Sequence, residues 1–245
     1  MGGLSPEKKK IMTNKFLSKG NKKGFTLLEL LIVIAIIAIL SVILILVLDP
    51  AETLRKSRDS QRMSDLATMK TALGLYLTST VSPAMAGTDN VGCKGNVNSD
   101  AAYEAGDKIY YSVASDVTAI TNGTTIDGAA AAVLAPSQVT SANLGNVDGT
   151  GWLPINLSAL PGGSPISNMP VDPVNSIATA AAPSSTDLVY RYVCSEETLK
   201  YEINATLESK AFTVDDPKIT KDGGNNSNYY EVGTDLTLLG SGTDF

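Results

Sequence analysis

Apolar residues are spread very unevenly along this chain. From Phe25 to Leu48 they run almost without a break, and only Thr26, Glu29 and Ser41 are polar. At about 1.5 Å per residue such a run covers the ~30 Å core of a bilayer with some tilt, so it predicts a membrane-crossing helix. A secretory signal peptide is the competing reading. It calls for a shorter apolar core with small residues at a cut site just beyond. "LVLDPAE" offers no such site, so the segment is expected to be retained. "DPAE" at 49–52 then reads as a fresh helix start. Asp49 can cap the free amides, Pro50 suits the first helical position, and Glu52 stands three after the cap. The alternative is one continuous helix kinked at Pro50. Beyond it Met63, Leu66, Met69, Leu73, Tyr76 and Leu77 recur at helical spacing. They form one apolar stripe on a polar segment, and the stripe needs a partner. Arg55, Lys56, Arg58, Asp59, Arg62 and Asp65 are expected to be solvated or to meet neighbours. The helical signal ends near Thr78–Pro83.

From about residue 81 the pattern changes to Ala, Gly, Ser, Thr, Asn and Pro. "DKIYYSVA" at 107–114 reads as a strand, and "AAAAVLA" at 129–135 as a short helical turn. The stretch 152–175 holds five prolines, which predicts an ordered loop or a series of turns. Two alternating runs, Leu188–Cys194 and Thr198–Leu207, flank a polar "SEE" turn and give the clearest β-hairpin signal. The tail reads as polar loop with one aromatic run. The expected fold class is α+β: a long N-terminal helix, its second half packed on a small antiparallel sheet with long loops. The expected divisions are a leader at 1–24, an apolar helical half at 25–48, an amphipathic half at 49–80 and a β-rich head at 81–245.

Charge sharpens the membrane reading. The chain's total is −6 and its first 24 residues carry +6, which leaves −12 on residues 25–245. A basic head, an apolar run and an acidic remainder fit a single span with the lysines on the cytoplasmic side and the bulk exported. An acidic bulk offers no nucleic-acid surface, which needs basic patches. Met12 begins a shorter basic leader and is a second candidate start. There is no histidine. That removes Ser-His-Asp and Cys-His catalysis and His-ligated zinc. No phosphate loop or nucleophile–base motif appears either, so no enzyme is expected. The two cysteines, Cys93 and Cys194, both follow the apolar run. In an oxidising exterior they form a disulfide candidate, against the alternative of two unpaired buried thiols.

"KKGFTLLELLIVIAIIAIL" at 22–40 raises a separate question, because a carboxylate inside hydrocarbon is costly. A basic stretch ending in Gly24, then Phe25, then Glu29 and about twenty apolar residues resembles the class III leader of type IV pilins and pseudopilins. The resemblance implies that a membrane-embedded prepilin peptidase cuts after Gly24 and methylates the new amine of Phe25. It implies that Glu29 pairs with the Phe25 amine of a neighbouring subunit in a filament. Such a pair offsets much of the cost of either charge alone in an apolar core. It also implies identical subunits, an assembly platform and the inner membrane as partners, then a place in an extracellular pilus. "MPVDPVN" at 169–175, "YRYVC…KYEINATLES" and "DGGNNSNYYEVGTDLTLL" resemble short head segments of the same family. The chain departs from it at Ala38 and Leu46, where many type IV pilins have glycine and proline.

The expected function is therefore that of a structural prepilin of a type IV pilus. A major pseudopilin of a type II secretion or DNA-uptake filament is the first alternative, and a monomeric membrane-anchored surface-binding protein the second. No cofactor is required. Calcium is a candidate ligand of the tail, where Asp215, Asp216, Asp222 and Asp235 lie among Gly and Asn, although their spacing follows no fixed loop pattern. Asn122, Asn156, Asn204 and Asn225 each begin an N-x-S/T triplet, a frequency that composition alone accounts for.

Overall fold

The structure is a computed structural model that describes residues 24–95, 107–121, 135–179 and 183–242. It divides into two compact units, Met1–Leu48 and Asp49–Phe245. The described part of the first is helix α1, Leu27–Leu48. This helix is apolar on every side, and its large apolar side chains stay exposed, from 44% for Val33 to 82% for Leu27. A helix with no polar face needs lipid or other apolar helices around it.

The second unit opens with α2, Pro50–Ser79, and the restart reading of "DPAE" is the one observed. Asp49 has a left-handed backbone (φ 34°), and its carboxylate accepts from the Glu52 amide at 3.2 Å. At the other end the Thr80 amide closes the last turn on the Tyr76 carbonyl. Leu66, Met69, Ala72, Leu73 and Tyr76 are buried, and the same stripe continues backwards through Arg62 and Asp59, which are fully buried too. Of the two expectations for these charges, solvent or neighbours, the second holds: three- and four-residue steps place them on the buried face.

Five strands form one sheet among the described residues: β1 (Lys108–Tyr111), β2 (Ala135–Ser137), β3 (Tyr190–Cys194), β4 (Tyr201–Ala205) and β5 (Tyr230–Gly233). Their order is β2-β1-β3-β4-β5. Only β1 and β2 run parallel; the other three pairings are antiparallel. The β3–β4 hairpin pairs Tyr190 with Ala205 and Cys194 with Tyr201. Helix followed by a mostly antiparallel sheet makes the fold α+β. The predicted turn at 129–135 falls outside the described residues except for Ala135, which opens β2 instead.

Alternation along the strands separates two buried faces. On one, Tyr190, Tyr192, Tyr201 and Ile203 meet the α2 stripe, together with Trp152, Leu153, Ile155 and Leu157 from the proline-rich segment. The tyrosine hydroxyls find backbone partners: Tyr201 donates to the Lys70 carbonyl (3.1 Å) and Tyr192 to the buried Met85 carbonyl (2.9 Å). On the other face Val189 and Val193 pack with Ile109, Tyr111, Tyr229, Leu238 and Leu239. The tail is thus more than polar loop. Its Tyr230–Gly233 strand completes the sheet, and Leu238 and Leu239 cover the second face. Gly233 is required there, because a Cβ would sit 2.2 Å from the Tyr201 carbonyl oxygen. Asn204, on the same buried face, is fully enclosed.

Candidate functional site

Gly24 and Phe25 lie before the first helical turn, and both are exposed. What ends the helix there is Thr26. Its hydroxyl accepts from the Glu29 amide at 3.2 Å, and its carbonyl accepts from the Leu30 amide. The same hydroxyl lies 3.5 Å from Glu29 Oε2. "TLLE" is therefore the start of a capping box, a Thr with Glu three residues on. Glu29 stands in the first turn of α1, where a carboxylate meets the positive end of the helix dipole. Glu29 thus has a local reason to sit near the helix start, and its side chain remains exposed. The Gly24–Phe25 peptide lies outside the helix, and nothing lies within 4 Å of where a Gly24 Cβ would be. A protease needs an accessible backbone free of helical hydrogen bonding, and this bond is exposed and precedes the helix. Thr26 went unnoticed as a functional residue in the sequence, although the T-x-x-E spacing was the signal.

A second constellation fixes α2 to the head. Arg62, fully buried, donates through Nε and Nη2 to Asp172 (2.6 and 2.9 Å), and through Nη1 to Asp59 (2.8 Å) and Glu208 (2.7 Å). Burial works against its charge, but the bonds from Asp172, Glu208 and Asp59 outweigh it and raise its pKa. Arg58 adds a bidentate pair to Glu208 at 2.8 Å. That bond, aided by Arg62, holds the Glu208 carboxyl below the usual range. Asp59 also accepts the amides of Glu208 and Ser209. Fork geometry suits this role, because one guanidinium can serve three carboxylates at once. Asp172 is the acid of "MPVDPVN", and Asp65 nearby accepts from the Tyr190 hydroxyl at 2.9 Å. Burial raises the Asp65 carboxyl above its ordinary value, partly offset by that bond.

Cys93 and Cys194 are joined in a disulfide, with Cα atoms 4.7 Å apart, linking the segment after α2 to the end of β3. The four tail aspartates go separate ways. Asp215 ends a wide helical turn, Ala211–Asp215. Asp216 takes Lys218 and Lys221, both at 2.6 Å. Asp222 accepts the amides of Gly224 and Glu231. Asp235 takes Lys200 at 3.2 Å and the Thr237 hydroxyl. Among the described residues no three His, Cys, Asp or Glu side chains stand close enough to hold one metal ion.

Residues 19–45 match the family model described as the prokaryotic N-terminal methylation motif. No curated protein and no solved structure matches the chain. The matched segment contains Gly24, Phe25, Thr26, Glu29 and most of α1. With the exposed apolar helix that follows, the motif points to membrane anchoring, to processing by a prepilin peptidase and to assembly into a filament. It supports a pilin-like precursor of the type IV pilin and pseudopilin family.

Proposed function

Starting from a type IV pilin-like precursor, we propose that this chain is a structural subunit of a type IV pilus. A prepilin peptidase cuts it after Gly24 and methylates the amine of Phe25. The mature subunit waits in the cytoplasmic membrane with its head outside, and an assembly platform then moves it into a filament of identical subunits. In this reading α1 exchanges lipid for neighbouring α1 helices. Both surroundings are apolar, so the move costs little desolvation and packing sets the geometry. Glu29 meets the Phe25 amine of a neighbour and sets the axial register. The chain does no chemistry of its own.

The observation that carries this reading is the methylation motif lying on a helix start, with Gly24 and Phe25 exposed just before the helix and Glu29 exposed in its first turn. Mass spectrometry of the mature protein tests it. The expected terminus is N-methylated Phe25, and any other terminus removes the reading. The long, loop-rich head favours a surface filament over a short envelope pseudopilus, because exposed filaments display loops. Shearing cells tests this point: absence of the chain from purified long filaments selects the pseudopilus.

A further inference from the structure

The second buried face of the sheet carries two carboxyls that the filament reading does not use. Glu202 on β4 and Glu231 on β5 are both buried, at 0% and 1% exposure. Glu202 pairs across the ladder with Gly233, and Asn204 with Glu231, so the two acids are diagonal neighbours on one face. Side chains so placed lie within reach of one another. Each also binds the tail. Glu202 Oε2 accepts from the Leu239 amide at 2.9 Å, and Glu231 Oε2 from the Asn226 amide at 3.0 Å. Asn226 in turn donates to the carbonyls of Gly240 and Gly242. Asp222 accepts the Glu231 amide at 2.8 Å. A Cβ on Gly224 would collide with the Glu231 carboxylate, so the loop passes directly over it. The remaining oxygens, Glu202 Oε1 and Glu231 Oε1, are buried with no hydrogen-bond partner among the described residues.

Two neighbouring carboxylates cannot both stay ionised in a dry site, and protons on them remove the repulsion and occupy the orphaned oxygens. We propose that Glu202 and Glu231, while both are protonated, form a clasp that holds the tail segment 222–242 on the sheet and loosens when Glu231 ionises. The charges around the clasp reinforce this. Asp222 in the tail adds a third acid. Arg191 on β3 is turned to the carbonyls of Ser184, Asp187 and Val189 and to the Tyr229 ring. Lys218 is held by Asp216, and Lys200 by Asp235. Burial pushes the Glu202 carboxyl far above its ordinary range. Burial, with the charge of Asp222, pushes Glu231 up to about 7. Because both values are raised in the folded state, the clasp contributes fully below the unfolded carboxylate value of about 4.3. It loses its contribution as pH climbs through 7.

Hydrogen exchange on the full chain in detergent micelles, corrected for intrinsic rates, tests this at pH 6 and pH 8.5. The amides of Asn226 and Leu239 are expected to lose protection on the order of tenfold at the higher pH, while β3 and β4 hold. Glu231→Gln keeps an oxygen for Asn226 and supplies a permanent donor to Glu202. It should cut the pH effect to less than about twofold. A flat wild-type profile overturns the clasp. So does loss of β3 and β4 protection in step with the tail, which would mean global opening. An unchanged pH effect in a folded Glu231→Gln variant overturns it as well. Should that variant fail to fold, the wild-type profile decides alone.

Discussion

Helices α1 and α2 follow one another in the chain, yet they handle charge in opposite ways. In α1 the one acid, Glu29, stands on a helix whose described side chains are all exposed. Its bonds within the chain are those of its own first turn. In α2 the charge on the buried face, Arg62, finds three carboxylates within the same head. The difference separates two uses of a costly group. A charge satisfied internally fixes a fold, whereas a charge left open on an apolar rod asks for a second molecule. In the proposed filament the first serves stability and the second assembly.

The largest expected effect tests that division from the α1 side. Glu29→Ala should still be cut after Gly24, and its head should melt as before, but filaments should be absent by electron microscopy. Normal filaments would end the pairing account. On the head side, replacing Cys93 and Cys194 by Ser opens a loop with a sequence separation of 101. Denaturant unfolding should then register a loss of about 4–5 kcal/mol in the chain-entropy model. Arg62→Ala leaves Asp59, Asp172 and Glu208 without their shared cation and should cost about 3–5 kcal/mol. Processing at Gly24 should be unaffected, and a defect there would blur the comparison. Asp49→Ala removes the α2 cap and should cost about 1 kcal/mol.

Acid offers a finer probe of the same contrast. Arg58 and Arg62 hold the Glu208 carboxyl below its unfolded value. A depressed acid contributes above that unfolded value, about 4.3, and its contribution fades as pH falls through the folded value. Head stability followed against pH should therefore weaken below about pH 4. Glu208→Gln should flatten that limb, and an unchanged acid limb would show that Glu208 does not control it.

Much of this architecture was legible from residue spacing. The unbroken run 25–48 marked α1, "DPAE" marked the break, and the alternation in 188–207 marked the central hairpin. For Arg62 and Asp59 the spacing left solvent or neighbours open and did not say which neighbours. Only Asp172, 110 positions further on, makes burial affordable, and local periodicity carries no trace of so distant a partner. The tail was under-read for a related reason. Its buried acids and glycines look like solvated loop until β4 is placed beside β5. At the cut site the opposite held: Gly24, Phe25 and Glu29 stood out together, and the capping role of Thr26 lay in the same six letters.

The burial of Asn204 has a consequence for timing. It begins an Asn-Ala-Thr triplet, yet it sits mid-strand with its whole side chain enclosed. Asn156 and Asn225, by contrast, are exposed on loops. Any group attached to the Asn204 amide would therefore have to arrive before the β3–β4 hairpin closes, and it would bar β4 from its place.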